Sequence, residues 1–269
     1  MSLQMMTIKP GLTLVYKLLG DVLYKAGRIE QTRWWCRKTI EVLTLLDLSK
    51  LPERTTYYNE TRNDRWIVEY VFPGKRRGYF IEAGAANGRE ASSCYVLEKQ
   101  FAWTGICIEP NNSFFASLVE NRPNSICENQ CLAGESGNVI YIEGDWNPIN
   151  PYLSGIKSNL ERFKHGGEEI VKKGKEVSKS ATTLEQLLRK YNSPRVIDYA
   201  AFDIEGSELK VLEGFPFDRY RFLALSLECD GLIWKSISHL LQPRGYKEVK
   251  NPFNREQPWE RYFLHKSIV

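Results

Sequence analysis

The ten residues Tyr79-Phe80-Ile81-Glu82-Ala83-Gly84-Ala85-Ala86-Asn87-Gly88 constrain this chain more than any other stretch: an apolar run meets an acid and then breaks into small residues. Bulky and β-branched residues up to Ile81 predict a buried strand, and Gly84 through Gly88 predict a tight turn feeding a helix from about Arg89 or Glu90. Glycine serves where backbone must pass close to another group or take positive φ, and a helix starting after such a turn offers unpaired N–H groups to a polar ligand. The unit is suited to holding a ligand, and the Glu82 carboxylate, at the strand's carboxyl end, is expected beside it.

Three nucleotide-binding turns compete for this stretch. A phosphate-cradling loop wants a Gly-Lys-Ser/Thr ending, which is missing here, and a dinucleotide turn wants glycine at 84, 86 and 89, where the chain has Gly84, Ala86 and Arg89. The remaining pattern, acid-x-Gly-x-x-x-Gly, is similar to that of methyltransferases that bind S-adenosylmethionine (SAM), although an ordinary tight βα turn fits the glycines as well. A second strand, Gly105-Ile106-Cys107-Ile108-Glu109-Pro110, follows a helix-compatible segment from about Ala91 to Gln100. Its acid, Glu109, stands 27 positions after Glu82. That is near the separation at which an acid ending the second strand of a parallel sheet accepts both ribose hydroxyls of a nucleoside ligand.

Phe80 to Gly88, Leu97-Glu98, Trp103 to Pro110, Asn121-Arg122-Pro123 and Ile197 to Glu208 together resemble the FkbM-type methyltransferase family, over roughly residues 60 to 265. The run Asp203-Ile204-Glu205-Gly206-Ser207-Glu208, of the form Asp-x-Glu-Gly-x-Glu, is the most specific element. The resemblance implies a SAM-dependent methyltransferase acting on a hydroxyl oxygen of a sugar or other natural-product-like acceptor. On that reading Glu82, Gly84, Ala85, Asn87 and Gly88 hold the methionine end, Glu109 and Pro110 border the ribose, and Asn129 aligns with the adenine-contacting position. Glu82 stands where many members carry Asp, a variant that also resembles the branch with animal Star-type proteins, some of which are regarded as trafficking factors. A catalytically silent binding or trafficking protein on the same fold is the rival expectation.

The implied fold is α/β, Rossmann-like, of the class I methyltransferase type: a mostly parallel seven-stranded sheet with helices on both faces. It is assigned to residues 61–269, after an N-terminal helical extension at 1–60. Within that extension, Leu12 to Leu23 and Trp34 to Leu46 place apolar residues at helical spacing on either side of Gly27, which predicts two amphipathic helices. At 269 residues, with 42% hydrophobic and 26% charged, the chain suits one sizeable domain with additions. The net charge of +4 is mild, and basic and aromatic residues do not alternate along one stripe, so nucleic acid is not expected as a partner. No apolar run reaches the roughly 18 to 20 residues of a membrane span, and the start has no signal-peptide core, so a cytoplasmic location is expected. Homo-oligomerisation stays open. The six scattered cysteines read as free thiols, and Cys127 and Cys131 lack the second pair or histidine of a zinc site.

Further along, Ser125 to Leu132 predicts the third strand, and Val139 to Ile142 an extra short strand. Residues 144–181 break the pattern with proline, glycine, His165 and a lysine-rich run from Lys172 to Lys179, which reads as a solvated loop. This insertion, with Asp145 and Trp146, is the candidate acceptor region. Thr183 and Gln186 predict a capping box. The fourth strand, Val196 to Phe202, ends at Asp203, and the fifth, Phe222 to Cys229, carries Glu228. In a doubly wound sheet these ends border one crevice with Glu82 and Glu109. Asp203, Glu205 and Glu228 are therefore the candidate catalytic residues. They can steer an acceptor hydroxyl, remove its proton, or hold a hard divalent metal ion, and the spacing leaves the three roles open.

Overall fold

A computed structural model describes residues 55–144, 152–162, 167–229, 233–254 and 258–269. The chain divides into two compact units, Met1–Leu51 and Pro52–Val269. The amphipathic helices expected between residues 11 and 47 lie outside the described residues, as do Asp145, Trp146 and His165.

In chain order the strands are β1 (Tyr79–Ala83), β2 (Thr104–Ile108), β3 (Ile126–Glu128), β4 (Cys131–Leu132), β5 (Gly137–Glu143), β6 (Gly155–Ile156), β7 (Lys175–Thr182), β8 (Val196–Phe202), β9 (Arg221–Glu228), β10 (Tyr246–Val249) and β11 (Glu260–His265). The helices are α1 (Tyr95–Phe101), α2 (Asn112–Asn121), α3 (Lys157–Leu160), α4 (Gly167–Lys173), α5 (Leu184–Lys190), α6 (Glu208–Glu213) and α7 (Ile233–Leu241). A helical turn, Asn63–Arg65, and a π-helical segment, Trp66–Val71, precede β1.

Seven strands form one sheet in the order β10-β11-β9-β8-β1-β2-β3, parallel except for β11, which runs antiparallel to both its neighbours. This is the Rossmann-like α/β fold expected from the sequence. A strand buried on both faces must be apolar at odd and even positions alike, and Phe80, Ile81 and Ala83 of β1 are each at most 1% exposed. Ile81, Ile106 and Leu225 pack on one side with Leu187 of α5, Leu212 of α6 and Ile237 of α7. Phe80, Cys107 and Tyr199 pack on the other with Trp66, Leu97 of α1 and Leu118 of α2. The capping box of α5 forms as predicted, Thr183 Oγ1 accepting from Gln186 N at 3.3 Å.

Three expectations about elements need correction. The helix after the first turn starts at Tyr95, not near residue 90, because Asn87 closes a further turn by accepting from the amides of Arg89 and Glu90. The third strand is two strands: β3 belongs to the large sheet, and β4 leaves it to join a second sheet ordered β4-β7-β5-β6. The lysine-rich stretch is not a loop, since β7 pairs antiparallel with β5 from Gly137↔Ala181 to Glu143↔Lys175. Its lysines mask a period of two, in which Val177, Lys179 and Ala181 point inward and Lys179 reaches Glu143 at 3.3 Å.

Candidate functional site

The chain order reverses at β1, which lies between β8 and β2, and an open parallel sheet leaves a crevice at the carboxyl ends of the strands around such a point. One cavity there is bordered by Glu82 to Ala86 at and beyond the end of β1, Glu109 and Pro110 after β2, Asp203 to Glu205 after β8, and Glu228 at the end of β9. Gly84 makes the close approach possible. Its φ is +80°, its N–H donates to Ile108 O at 3.0 Å, and a Cβ there would sit 1.9 Å from the Asp203 carbonyl oxygen. Gly88, at φ +76°, plays a packing part: a Cβ would meet Leu118 at 2.5 Å and Arg122 at 2.8 Å.

Glu109 lies where the second-strand acid is expected, buried at 5% exposure on the cavity wall. One carboxylate oxygen accepts from Ala86 N at 2.8 Å and the other from Asn111 N at 2.7 Å. Burial pushes its carboxyl up to about 7, against the opposing pull of the Asn111 and Ala86 amides. Each oxygen carries one bond of about two it can accept, so acceptor capacity is left over.

Glu82 is placed differently from the expectation. It touches the cavity wall, but one oxygen accepts from Ser92 Oγ, Ser93 N and Cys94 N at 2.8, 2.7 and 3.1 Å, and the other from Arg122 Nη1 at 2.7 Å. The amides ahead of α1 that the sequence assigns to a ligand are taken by this carboxylate. Arg122, 1% exposed, also bonds Glu98 at 2.8 Å, so two acids and one guanidinium form a buried ionic node under the turn. Asn87, Gly88 and Asn129 lie outside the cavity lining. Asn129 donates to the carbonyls of Glu109 and Pro110 at 2.9 and 3.3 Å, while Cys131 and Leu132 form that part of the wall.

Asp203, Glu205 and Glu228 come together, each offering an oxygen within 4.8 Å of the others. Glu205 holds φ +52°, a left-handed turn that costs a non-glycine residue energy and is common at functional sites. Burial, then the Asp203 and Glu208 charges, push the Glu205 carboxyl well above its usual range. Burial and the neighbouring Asp203 push the Glu228 carboxyl far up as well.

Several site residues escape the sequence reading. Glu260 stands directly across the antiparallel rung from Glu228, a placement unfavourable for like charges. Burial and Asp203 push Glu260 up to about 8. Asn63 Nδ2 donates to Glu260 at 2.7 Å and to Ser226 at 3.2 Å, and Asn59 Nδ2 donates to Ser93 at 3.1 Å. Asn59, Glu60, Thr61 and Asn63 thus line the cavity, with Asn59, Thr61 and Asn63 buried. Tyr152 to Ile156, from the insertion, line it too, and the Tyr152 hydroxyl reaches Glu90 at 2.5 Å. Among the described lining residues there are eight carboxylic acids and no lysine, arginine or histidine. A cationic, nucleoside-bearing group such as SAM fits this donor set. No trio of metal-binding side chains other than Asp203, Glu205 and Glu228 gathers among the described residues.

No curated protein sequence matches this chain. Solved structures of similar shape include a human protein with a methyltransferase 10 domain, at 12% identity and a TM-score of 0.38, covering 80% of this chain and 88% of that one. A methyltransferase from Pyrococcus furiosus gives 18% identity and 0.38, covering 88% and 98%. A precorrin-6y C5,15-methyltransferase from Geobacter metallireducens gives 8% and 0.40, covering 81% and 93%. The family model of the methyltransferase FkbM domain matches residues 82–247, which runs from the acid of the first turn to β10 and takes in every strand end that borders the cavity except Glu260. The chain belongs to the FkbM methyltransferase domain family.

Proposed function

We propose that this chain transfers the methyl group of SAM to a hydroxyl oxygen of a small-molecule or glycan acceptor. The observation that carries the reading is the meeting of Asp203, Glu205 and Glu228 on the cavity that Glu109 and the Gly84 turn also border. SAM supplies an electrophilic methyl on a sulfonium, so alignment of the acceptor accounts for most of the acceleration. Glu109 would accept from the ribose hydroxyls, Ala85 and Ala86 would face the methionine end across the turn, and Cys131 and Leu132 would flank the base in place of Asn129. The exposed Asp203, paired with Glu228, would take the acceptor's proton, a step worth about 10²- to 10⁴-fold.

The all-acid lining supports a neutral or cationic acceptor and disfavours a phosphate backbone in this cavity. The same three acids can alternatively hold a hard divalent cation. A silent binding role, the reading that goes with Star-type proteins, would suit a crevice filled by the protein's own side chains; the open crevice beside Glu109 supports turnover instead.

The test is calorimetric titration with SAM and S-adenosylhomocysteine, followed by incubation with polyhydroxylated acceptors and mass and NMR analysis of products. An O-methyl product that disappears in Asp203→Asn supports the reading. Binding of neither ligand to folded protein, or methylation of nitrogen only, would sink it. Activity lost to a chelator and restored by Mg²⁺ would assign the acids to a cation.

A further inference from the structure

The amino ends of β8 and β9 carry a second concavity, far from the candidate active site, that the methyl-transfer reading leaves unused. Arg195 precedes β8 and Arg221 opens β9; the two are joined by a backbone bond, Arg221 N donating to Arg195 O at 2.9 Å. Both are exposed, and among the described residues neither guanidinium has an ion-pair or hydrogen-bond partner. Arg219 and Arg244 border the same groove, the first held at 2.7 Å by Glu185 and the second with its guanidinium over the Phe217 ring at 5.0 Å. Asp218 is the one acid in the described lining.

The floor points to a ligand independently of the arginines. Tyr246 is 4% exposed, and its hydroxyl accepts from Phe222 N at 3.1 Å. A phenol also has a proton to donate, and among the described residues the Tyr246 proton has no acceptor, although the residue lines the groove. Leaving a buried donor unmade costs free energy, which an incoming oxygen would recover. Beside it, burial and then the charges of Arg221 and Lys266 push the His265 ring below its ordinary value.

The geometry points to a binding site for a phosphate-bearing small group, a phosphomonoester or diphosphate, held by Arg195, Arg221 and the Tyr246 hydroxyl at the amino ends of β8 and β9. Guanidinium forks match phosphate oxygens bidentately, and a tetrahedral oxyanion has enough acceptors to satisfy both arginines and the phenol together. The group can arrive on a soluble molecule or on a lipid head, and the chemistry is shared.

The experiment titrates the full chain with inorganic pyrophosphate at low and physiological salt. In parallel it measures flotation with neutral vesicles, vesicles containing phosphatidylserine, and vesicles containing a phosphorylated inositol lipid. Circular dichroism and the thermal unfolding midpoint of each variant serve as the folding control. Pyrophosphate should bind, and Arg195→Gln with Arg221→Gln, or Tyr246→Phe alone, should each weaken it, the arginine pair by about tenfold or more. If only the phosphoinositide vesicles bind, with the same losses, the ligand is the lipid head. Binding that is unchanged in these variants overturns the site. So does equal binding to phosphatidylserine vesicles, or binding of a long single-stranded RNA with none of pyrophosphate, because each describes a diffuse basic surface.

Discussion

The two ends of β8 and β9 differ more than any other pair of regions in the molecule. At their carboxyl ends stand Asp203 and Glu228, joined by Glu205 and Glu260 in a lining without a positive side chain among the described residues; at their amino ends stand Arg195 and Arg221. Arg221 and Glu228 are the two ends of one strand, seven residue steps apart, or roughly 23 Å at strand rise. Glu205, Glu228 and Glu260 are partly or wholly buried beside the exposed Asp203, and Glu205 holds a strained left-handed turn. Arg195 and Arg221 are exposed, and among the described residues their guanidinium groups are unpaired. Crowding like charges in a buried place is tolerated where chemistry needs a displaced proton or a cation; spreading like charges on an open rim is cheap. The same sheet thus supports a site that is costly to build and one that is not.

The most damaging way to break this contrast is from beneath the acid end. Arg122→Ala leaves buried Glu82 without its counter-charge and Glu98 with Lys99 at 3.7 Å, and loss of one partner of a buried pair costs about 3–5 kcal/mol. Urea unfolding measures it, and a change under about 1 kcal/mol would show that the node is incidental. Next comes Gly84→Ala. The added Cβ would strike the Asp203 carbonyl and the left-handed φ would strain, so we expect about 2–3 kcal/mol of destabilisation together with loss of SAM binding.

These two residues also show what the chain reveals unaided. Gly84 and Glu109 are legible because local geometry dictates them: a glycine where backbone must cross, and an acid at a strand end. The order of the parallel strands follows from apolar runs alternating with helices, and Asp203 and Glu228 fall out of that order. Glu260 and Asn63 are not legible, because their place depends on the Glu260↔Glu228 rung and on a hydrogen bond spanning 197 positions. Glu82 is half legible. Its position is right, but its partner Arg122 lies 40 residues on and carries no local signature of burial. The second sheet is hidden for a different reason: the lysines of β7 keep their charges in water or on Glu143 while the strand's period of two stays intact beneath them.

A smaller effect sharpens the acid end. Glu109→Gln should cost about 1.5–3 kcal/mol of SAM affinity, the scale of hydrogen bonds to a charged group, with little change at the arginine groove. The wild-type pH dependence follows from the sign of the Glu109 shift. Its folded carboxyl titrates near 7, above the unfolded value near 4.5, so between these the ligand-free fold holds a proton that the unfolded chain has released. The Glu109 contribution therefore lowers ligand-free stability as pH rises through that window. SAM affinity moves the other way, rising towards pH 7 as the carboxylate ionises and accepts from the ribose. Calorimetry across this range should show the rise in wild type and a flatter profile in Glu109→Gln.

The smallest effect is the sharpest test of separateness. Roughly 23 Å of strand lies between Arg221 and Glu228, nearly three times the Debye length of about 8 Å at physiological salt. Replacing Arg195 and Arg221 together with glutamine should therefore leave SAM affinity within about twofold, and stability within about 0.5 kcal/mol, as for exposed substitutions in general. At very low salt the sign of any residual change follows simple charge intuition. Removing positive charge from the far end makes the cavity slightly more attractive to a cationic cofactor, so any change should be a gain. A tenfold loss at physiological salt would mean that the strands transmit more than a field. The arginine groove would then be a control point for the acid cavity and not a separate site.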